Sequence, residues 1–305
     1  MISLMIIVNC TQKGCNQIKS SAFAMSVLAI LFIGVFFFSG CSTIAPVVTG
    51  GPGDLKNLSE AGELVSYLKN QNLHLKTFKG IGRITFWENN KKDMTTGIAW
   101  VGSVPDRLRI AFRSVSGQPV VSFASDGQLL YFVNHIQGKF YKQRSGKSTM
   151  KKILSIPVTS GDIVNILAGR IFVDNYDSAV VIKNDPPGYM PGGRSSCHTA
   201  LSSKKEDFGN EDGYILVLKK GWGNICEKIY LDASRKQVRK VEIFYLTGGL
   251  KYRAEFKRMQ DIEGYSVPSS LVLSTDDGSG FQLDVDRYWV GVSVSPSMFV
   301  LIPPE

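Results

Sequence analysis

Histidine is scarce in this chain. There are three in 305 residues, and none is well placed for chemistry. His74 falls at the end of a helical pattern, His135 in the turn Asn134–Gln137, and His198 in a run of turn formers. None follows the strand-to-helix turn of a nucleophile elbow. Cys197 and His198 are adjacent, which is the wrong spacing for tetrahedral metal ligation. The carboxylate pairs Asp276-Asp277 and Asp284/Asp286 fall in a turn or on the polar side of a strand. GGPGD near 50 and PGGRSS near 192 do not stand between a strand and a helix, as a phosphate-gripping loop must. These absences predict a protein that is not an enzyme and holds no metal and no cofactor.

Acidic residues are also in the minority, 26 against 35 Lys and Arg, for a net charge of +9. Residues 1–40 supply only Lys13 and Lys19 of that excess. A basic body suits anionic partners such as lipid headgroups or acidic proteins, or serves solubility alone. Only one long apolar run is present, at 22–38 (AFAMSVLAILFIGVFFF). It is slightly short for a bilayer span of about 20 residues and follows a positive, acid-free segment, as in an export signal. The run ends at Phe38-Ser39-Gly40-Cys41, which resembles the bacterial lipobox, with Phe38 departing from the usual Leu. Small residues admit the peptidase and the thiol of Cys41 takes the lipid, so Cys41 becomes the acylated N-terminus; several acyl chains anchor stably where one binds reversibly. Ser42 follows the cysteine, and by resemblance to the lipoprotein-sorting rule of Gram-negative bacteria, where Asp there favours retention, it implies delivery to the outer membrane. Residues 1–40 therefore read as a lipoprotein signal peptide and 41–56 as a flexible tether, with the body facing the periplasm. An exported lipoprotein is not expected to meet nucleic acid. In the body, Cys197 and Cys226 are candidates for a disulfide or for two free thiols.

The periodicity from 57 onward is β-rich. Apolar residues at 58, 61, 64, 65 and 68 predict a helix over roughly 57–72, with Ser59, Glu60 and Glu63 in its N-terminal region. From Phe78 the period becomes two. GIGRITFWE, MTTGIAWVG, RLRIAFRS, QPVVSFASDG, QLLYFVN and GKFYKQR are separated by turn formers, and Asp126-Gly127 is a strong hairpin signal. Two short helical faces follow, Met150/Ile153/Leu154 and Ile163/Ile166/Leu167, the second capped by Ser160 and ended by Gly169. Residues 184–213 read as a long mobile loop. Six more strand patterns run from YILVLKK to SGFQLDVDRYWVG, and Phe299 to Ile302 reads as a last docked segment.

Alternation separates two faces. Leu108, Ile110 and Phe112 oppose Arg107, Arg109 and Arg113. Phe281, Leu283, Val285 and Trp289 oppose Gln282, Asp284, Asp286 and Tyr288, with Arg287 interrupting the apolar row. A twisted sheet of about eleven or twelve strands curls or closes, so the fold class is mainly β, a curled antiparallel half-open barrel with an N-terminal helix and a short helical lid.

Its order, with FKGIGRITF opening the first meander, RLRIAFRSVSGQPVVSFASDGQLLYFV within it, the helical IPVTSGDIVNILAGR and the terminal FVLIPPE, resembles the lipoprotein-localisation carrier superfamily, the LolA/LolB-like proteins. The resemblance covers roughly 57–305 and rests on hydrophobic and turn patterns. It implies an incomplete barrel lined by apolar side chains under a helical lid, which binds acyl chains of lipoproteins or other lipids and assists their membrane insertion. It also implies a periplasmic carrier protein as partner. The inward rows read either as a filled core or as an open cavity. For a cavity, the lining candidates are Trp87, Trp100, Phe112, Phe123 and Tyr131. With a filled core, the same fold would serve as an accessory scaffold of an envelope assembly machine. In the lipid-anchored branch an exposed apolar residue on a hairpin loop helps hand cargo to the membrane. The nearest apolar tip read from this sequence is Tyr189-Met190.

Overall fold

The computed structural model of the chain describes residues 52–145, 150–171, 173, 175–184 and 213–304. Cys41, Tyr189, Met190, Cys197, His198 and almost all of the 184–213 loop lie outside these. Residues from Gly50 onward form one compact unit.

Helix α1 spans Pro52–Asn70, so it begins inside the stretch read as tether, and Ser59 sits in its body. A proline is tolerated in a first helical turn because its missing N–H would have no intrahelical partner there. Ala61, Leu64, Val65 and Leu68 are its buried face, held at i, i+3, i+4 and i+7.

The first meander is β1 (Thr77–Glu88), β2 (Lys91–Ser103), β3 (Arg107–Arg113), β4 (Pro119–Ser125), β5 (Leu129–Asn134) and β6 (Lys139–Arg144). Helices α2 (Lys151–Leu154) and α3 (Ser160–Leu167) follow. The second meander is β7 (Ser178–Asn184), β8 (Gly213–Lys220), β9 (Asn224–Asp232), β10 (Val238–Phe244), β11 (Leu250–Ile262), β12 (Tyr265–Ser274) and β13 (Gly280–Val290). All form one 13-stranded sheet in the order 6-5-4-3-2-1-13-12-11-10-9-8-7. Strand β7, from SAVVIKN, is the one the sequence reading left out. The first and last strands pair antiparallel, from Phe78↔Val290 to Trp87↔Gly280, so the two meanders meet at the centre of the sheet and its ends, β6 and β7, stay apart.

One bulge corrects the sequence-based faces of β13. Ile81 pairs with Arg287 but Gly82 pairs with Val285, leaving Asp286 as the extra residue. An inserted residue reverses the side-chain alternation beyond it. Tyr288 therefore turns inward and is buried, while Trp289 points outward and is exposed. Arg287 interrupted the apolar row because the row itself changes face there. Tyr288 stacks on Phe78 with centroids 5.7 Å apart and planes 12° apart. Phe78 and its neighbour in the core, Trp100, are accommodated by glycine: a Cβ at Gly102 would overlap the Phe78 ring, and one at Gly80 the Trp100 ring.

The concave face carries the main core, with Ile84, Ile98, Trp100, Ile110, Leu271, Leu273, Phe281 and Leu283 from strands of both halves. The convex face of β4 and β5 carries a second cluster of Ala124, Tyr131 and Val133, closed by Leu301. The C-terminal segment reaches it through a short 3-10 helix, Pro296–Phe299, and Arg109 donates from Nη1 to the Met298 carbonyl at 3.2 Å.

Candidate functional site

The site is the concave face and the two helices that cover it. Strand alternation supplies the floor and a helical insertion supplies the roof. Helix α3 lies over β2, β3 and β12 and presses Ile163, Ile166 and Leu167 onto the sheet. Its N-cap is Thr159, one residue before the Ser160 expected. The Thr159 hydroxyl accepts from Asp162 N at 3.1 Å, and the Asp162 carboxylate accepts from Thr159 N at 2.8 Å, a reciprocal capping box. Gly169 ends the helix at φ +65°, the left-handed conformation glycine tolerates.

Between roof and floor lies a gap of only about 20 Å³, lined by Ile84, Ile98, Ile110, Leu154, Leu273 and Phe281 among others. Every lining side chain is Ile, Leu or Phe apart from Trp100. The Trp100 indole N–H is buried with no hydrogen-bond partner. That gap holds about one water-sized sphere, whereas small-molecule pockets run to about 300–1,000 Å³. The interior is thus filled by the helices. A larger cleft, about 220 Å³, opens beside α1 and is lined by Tyr67, Gln71, Ile171, Gln237, Phe256 and Met259.

The C-terminal end of α3 is latched by a set of polar contacts that the sequence reading missed. Tyr288 donates its hydroxyl to the Leu167 carbonyl at 2.8 Å. Asn72 Nδ2 donates to the carbonyls of Ala168 at 2.8 Å and Ser266 at 2.6 Å. Arg170 donates from Nε to Asn72 O at 3.0 Å and from Nη2 to Leu73 O and Leu75 O at 2.8 and 2.7 Å. Asn72 sits at φ +53° just past α1, and an Asn after a helix end was its only sequence signal. Burial pushes the Tyr288 hydroxyl far above the ordinary phenol value and lowers the Arg170 guanidinium. The Tyr252 hydroxyl is also pushed well up, by burial first and then by the carboxylates of Asp162 and Glu227. Burial thus favours the neutral Tyr288 hydroxyl, the form that donates to Leu167.

The five lining candidates separate. Trp100, Phe112 and Phe123 lie in the concave core, and Trp100 lines the gap itself. Tyr131 is buried in the convex cluster, where its hydroxyl donates to Asp126 Oδ2 at 2.9 Å, because odd-numbered residues of β5 face outward. Trp87 is half-buried outside both clusters, against Gly280; the β1–β2 register shifts between Phe86 and Trp87. Cys226 is half-buried on β9, its sulfur 3.4 Å from the Leu218 carbonyl, and its candidate partner Cys197 lies outside the described residues. Ser122 Oγ and His135 Nε2 are 2.8 Å apart, but Ser122 is buried and His135 exposed. Among the described residues no group of three His, Cys, Asp or Glu side chains converges as metal ligands. Val115, at the tip of the β3–β4 hairpin, is fully exposed.

No protein-family model matches the chain, and no curated protein sequence does. Solved structures do share its fold. A LolA-superfamily protein from Nitrosomonas europaea superposes with a TM-score of 0.50 at 12% identity, over 79% of this chain and 97% of its own. A DUF1329-family protein from Desulfovibrio piger superposes with a TM-score of 0.55 at 13% identity, over 80% of this chain and 97% of its own. At these identities the likeness speaks for architecture alone. The resemblance read from the sequence holds at that level: this chain has the LolA/LolB-like fold, a single antiparallel sheet curled around an N-terminal helix and a helical lid.

Proposed function

We propose that the chain is a non-enzymatic lipoprotein, anchored through acylated Cys41 to the outer membrane with its body in the periplasm, that binds acyl chains of lipoproteins or lipids on its concave face and assists their membrane insertion. One observation carries the reading. The concave lining is continuous across both meanders and wholly apolar but for Trp100, and it is covered by two short helices rather than by a second sheet. A lid of that size is displaced at far less cost than a sheet. With only about 20 Å³ free, an acyl chain enters by taking the place of Ile163, Ile166 and Leu167. The Trp100 N–H then offers a buried donor for an ester carbonyl. Val115 supplies the exposed apolar hairpin tip expected of the lipid-anchored branch.

The test uses the latch. Tyr288→Phe removes a hydrogen bond to the lid's Leu167 carbonyl, and Asn72→Ala one to the carbonyl of Ala168 at its end together with a bond to Ser266 of β12 that does not involve the lid; each lid bond is worth about 1 kcal/mol. Lowering the cost of the open state raises apparent affinity, so each variant should bind a fluorescent fatty acid about fivefold more tightly than the parent. Mass spectrometry of lipids co-purified with the body should find acylated species. The filled interior favours one rival, an accessory scaffold of an envelope machine; on that reading the latch variants lose stability and take up no acyl ligand. The anchor is checked separately, by lipid-precursor labelling that disappears in Cys41→Ala.

A further inference from the structure

The two ends of the sheet differ in what their turns expose. Antiparallel order places the β1–β2, β3–β4, β5–β6, β8–β9, β10–β11 and β12–β13 turns at one end, and Asn90 N donating to Gly278 O at 2.9 Å ties the outermost turns of the central seam together there. Four of these tips carry a large exposed apolar residue. Val115 and Trp222 are fully exposed, Ile136 is 75% exposed and Leu246 63%. At the opposite end, among the described residues, the hairpin turns hold Asp106, Asp126, Asp232 with Arg235 and Lys236, and Asp261 with Glu263, and none of these exposes a large apolar side chain.

The β8–β9 and β10–β11 tips concentrate the contrast. Trp222 stands between Gly221 and Gly223, both at positive φ, at the apex of Lys219-Lys220-Gly-Trp-Gly. No acidic residue occurs from Lys219 to Cys226, nor from Ile243 to Ala254, where Leu246 is followed by Lys251. The two hairpins are neighbours in the sheet, so their tips stand about 10 Å apart, two strand spacings. A fully exposed tryptophan leaves its large apolar ring surface in water, where burial would be favourable. Its amphipathic ring is suited to the headgroup layer of a bilayer, and lysines beside it are drawn to anionic lipid. The acidic side chains at this end are Glu88 in the β1–β2 turn, the Asp276-Asp277 turn on the far side of β12, and Asp177, whose carboxylate accepts from Gly221 N at 2.6 Å and is spent on holding the Trp222 turn.

We propose that this end of the sheet, led by the Trp222 and Leu246 hairpins, is a docking surface for an anionic phospholipid bilayer. The indole and the leucine enter the headgroup layer while Lys219, Lys220 and Lys251 contact phosphates. Docking of this kind needs no cargo, so it stands whether or not the interior takes up acyl chains.

The test uses the compact unit Gly50–Glu305, which contains the whole described core and no lipid anchor. It is sedimented with vesicles of phosphatidylcholine alone or mixed with phosphatidylglycerol. The wild-type unit should partition onto the anionic vesicles, less in high salt. Trp222→Ser should lower that partitioning about tenfold, and Lys219→Glu with Lys220→Glu by about fivefold per charge removed. All three positions are at the surface, and circular dichroism confirms that the variants are folded. Bromine-labelled lipids should quench fluorescence in the wild type more than in Trp222→Ser. The proposal is overturned if the unit stays in the supernatant with both vesicles, or if Trp222→Ser partitions like the wild type. The second outcome covers binding through an opened interior, and also a tip that serves a protein partner instead.

Discussion

Glu242 shows what a single side chain contributes on the outer face. It lies on β10, directly opposite Arg253 of β11. Its Oε1 accepts from Lys240 and from Arg253, each at 3.1 Å, and its Oε2 from the Tyr230 hydroxyl at 2.9 Å. Lys240 and Glu242 are both buried. Burial alone would raise the carboxyl's pKa, but the Lys240 charge and hydrogen bond, with Tyr230 and Arg253, outweigh it and hold the group below its ordinary 4.5. A depressed carboxyl contributes stability that is present above the unfolded value and lost as pH falls through the folded one. Glu242→Gln should therefore cost about 2 kcal/mol in urea unfolding at neutral pH, since it removes a buried negative charge that both Lys240 and Arg253 hydrogen-bond. The difference from the parent should shrink steadily once pH drops below 4.5. Alternation alone puts Lys240 and Glu242 on the polar face. That flanking strands bring Tyr230 and Arg253 onto the same carboxylate depends on register, which no one-strand pattern contains.

At the scale of elements, the lid is defined by how α3 begins and ends. Its start was nearly legible: a hydroxyl, an acid three residues on and an apolar run mark a capped helix, displaced by one residue to Thr159. Its end was legible as Gly169, but the reason is tertiary. Besides φ +65°, a Cβ there would run into the Ser266 carbonyl of β12. Gly169→Ala should destabilise the protein by more than the roughly 1 kcal/mol of a positive-φ replacement alone, and should loosen the Leu167–Tyr288 contact. Thermal unfolding measures the first effect, and fatty-acid uptake reports the second as an increase. The bulge at Asp286 belongs to this scale as well. Arg287 in an apolar row was its trace in the sequence, yet only pairing with β1 shows that the faces exchange and that Tyr288, not Trp289, reaches the lid.

Across the whole molecule, the joining of β1 to β13 makes two meanders into one sheet. The central strands have partners on both sides, while α2 and α3 are held by side chains and a few latching hydrogen bonds. Local opening free energies follow such differences. Native-state hydrogen exchange in rising denaturant should show the amides of α3 opening well below the global unfolding free energy, and those of β1, β2 and β13 exchanging only with it. A common isotherm for lid and seam would contradict a displaceable lid. The sheet's ends are managed differently: β6 is exposed along most of its length and carries Lys139, Lys142 and Arg144, charges that discourage edge pairing.

The sequence by itself determined the β-rich class, the antiparallel meander, the helical insertion and the apolar character of one face, because period-two alternation, turn residues and capping signals act over a few neighbours. It did not determine which face each half of β13 presents, the joining of the two meanders through β1 and β13, the latch on α3 or the filling of the interior. Those depend on register and packing between segments distant in the chain, such as Asn72 with Ser266 and Phe78 with Val290, and were decided only when the sheet curled and brought them together.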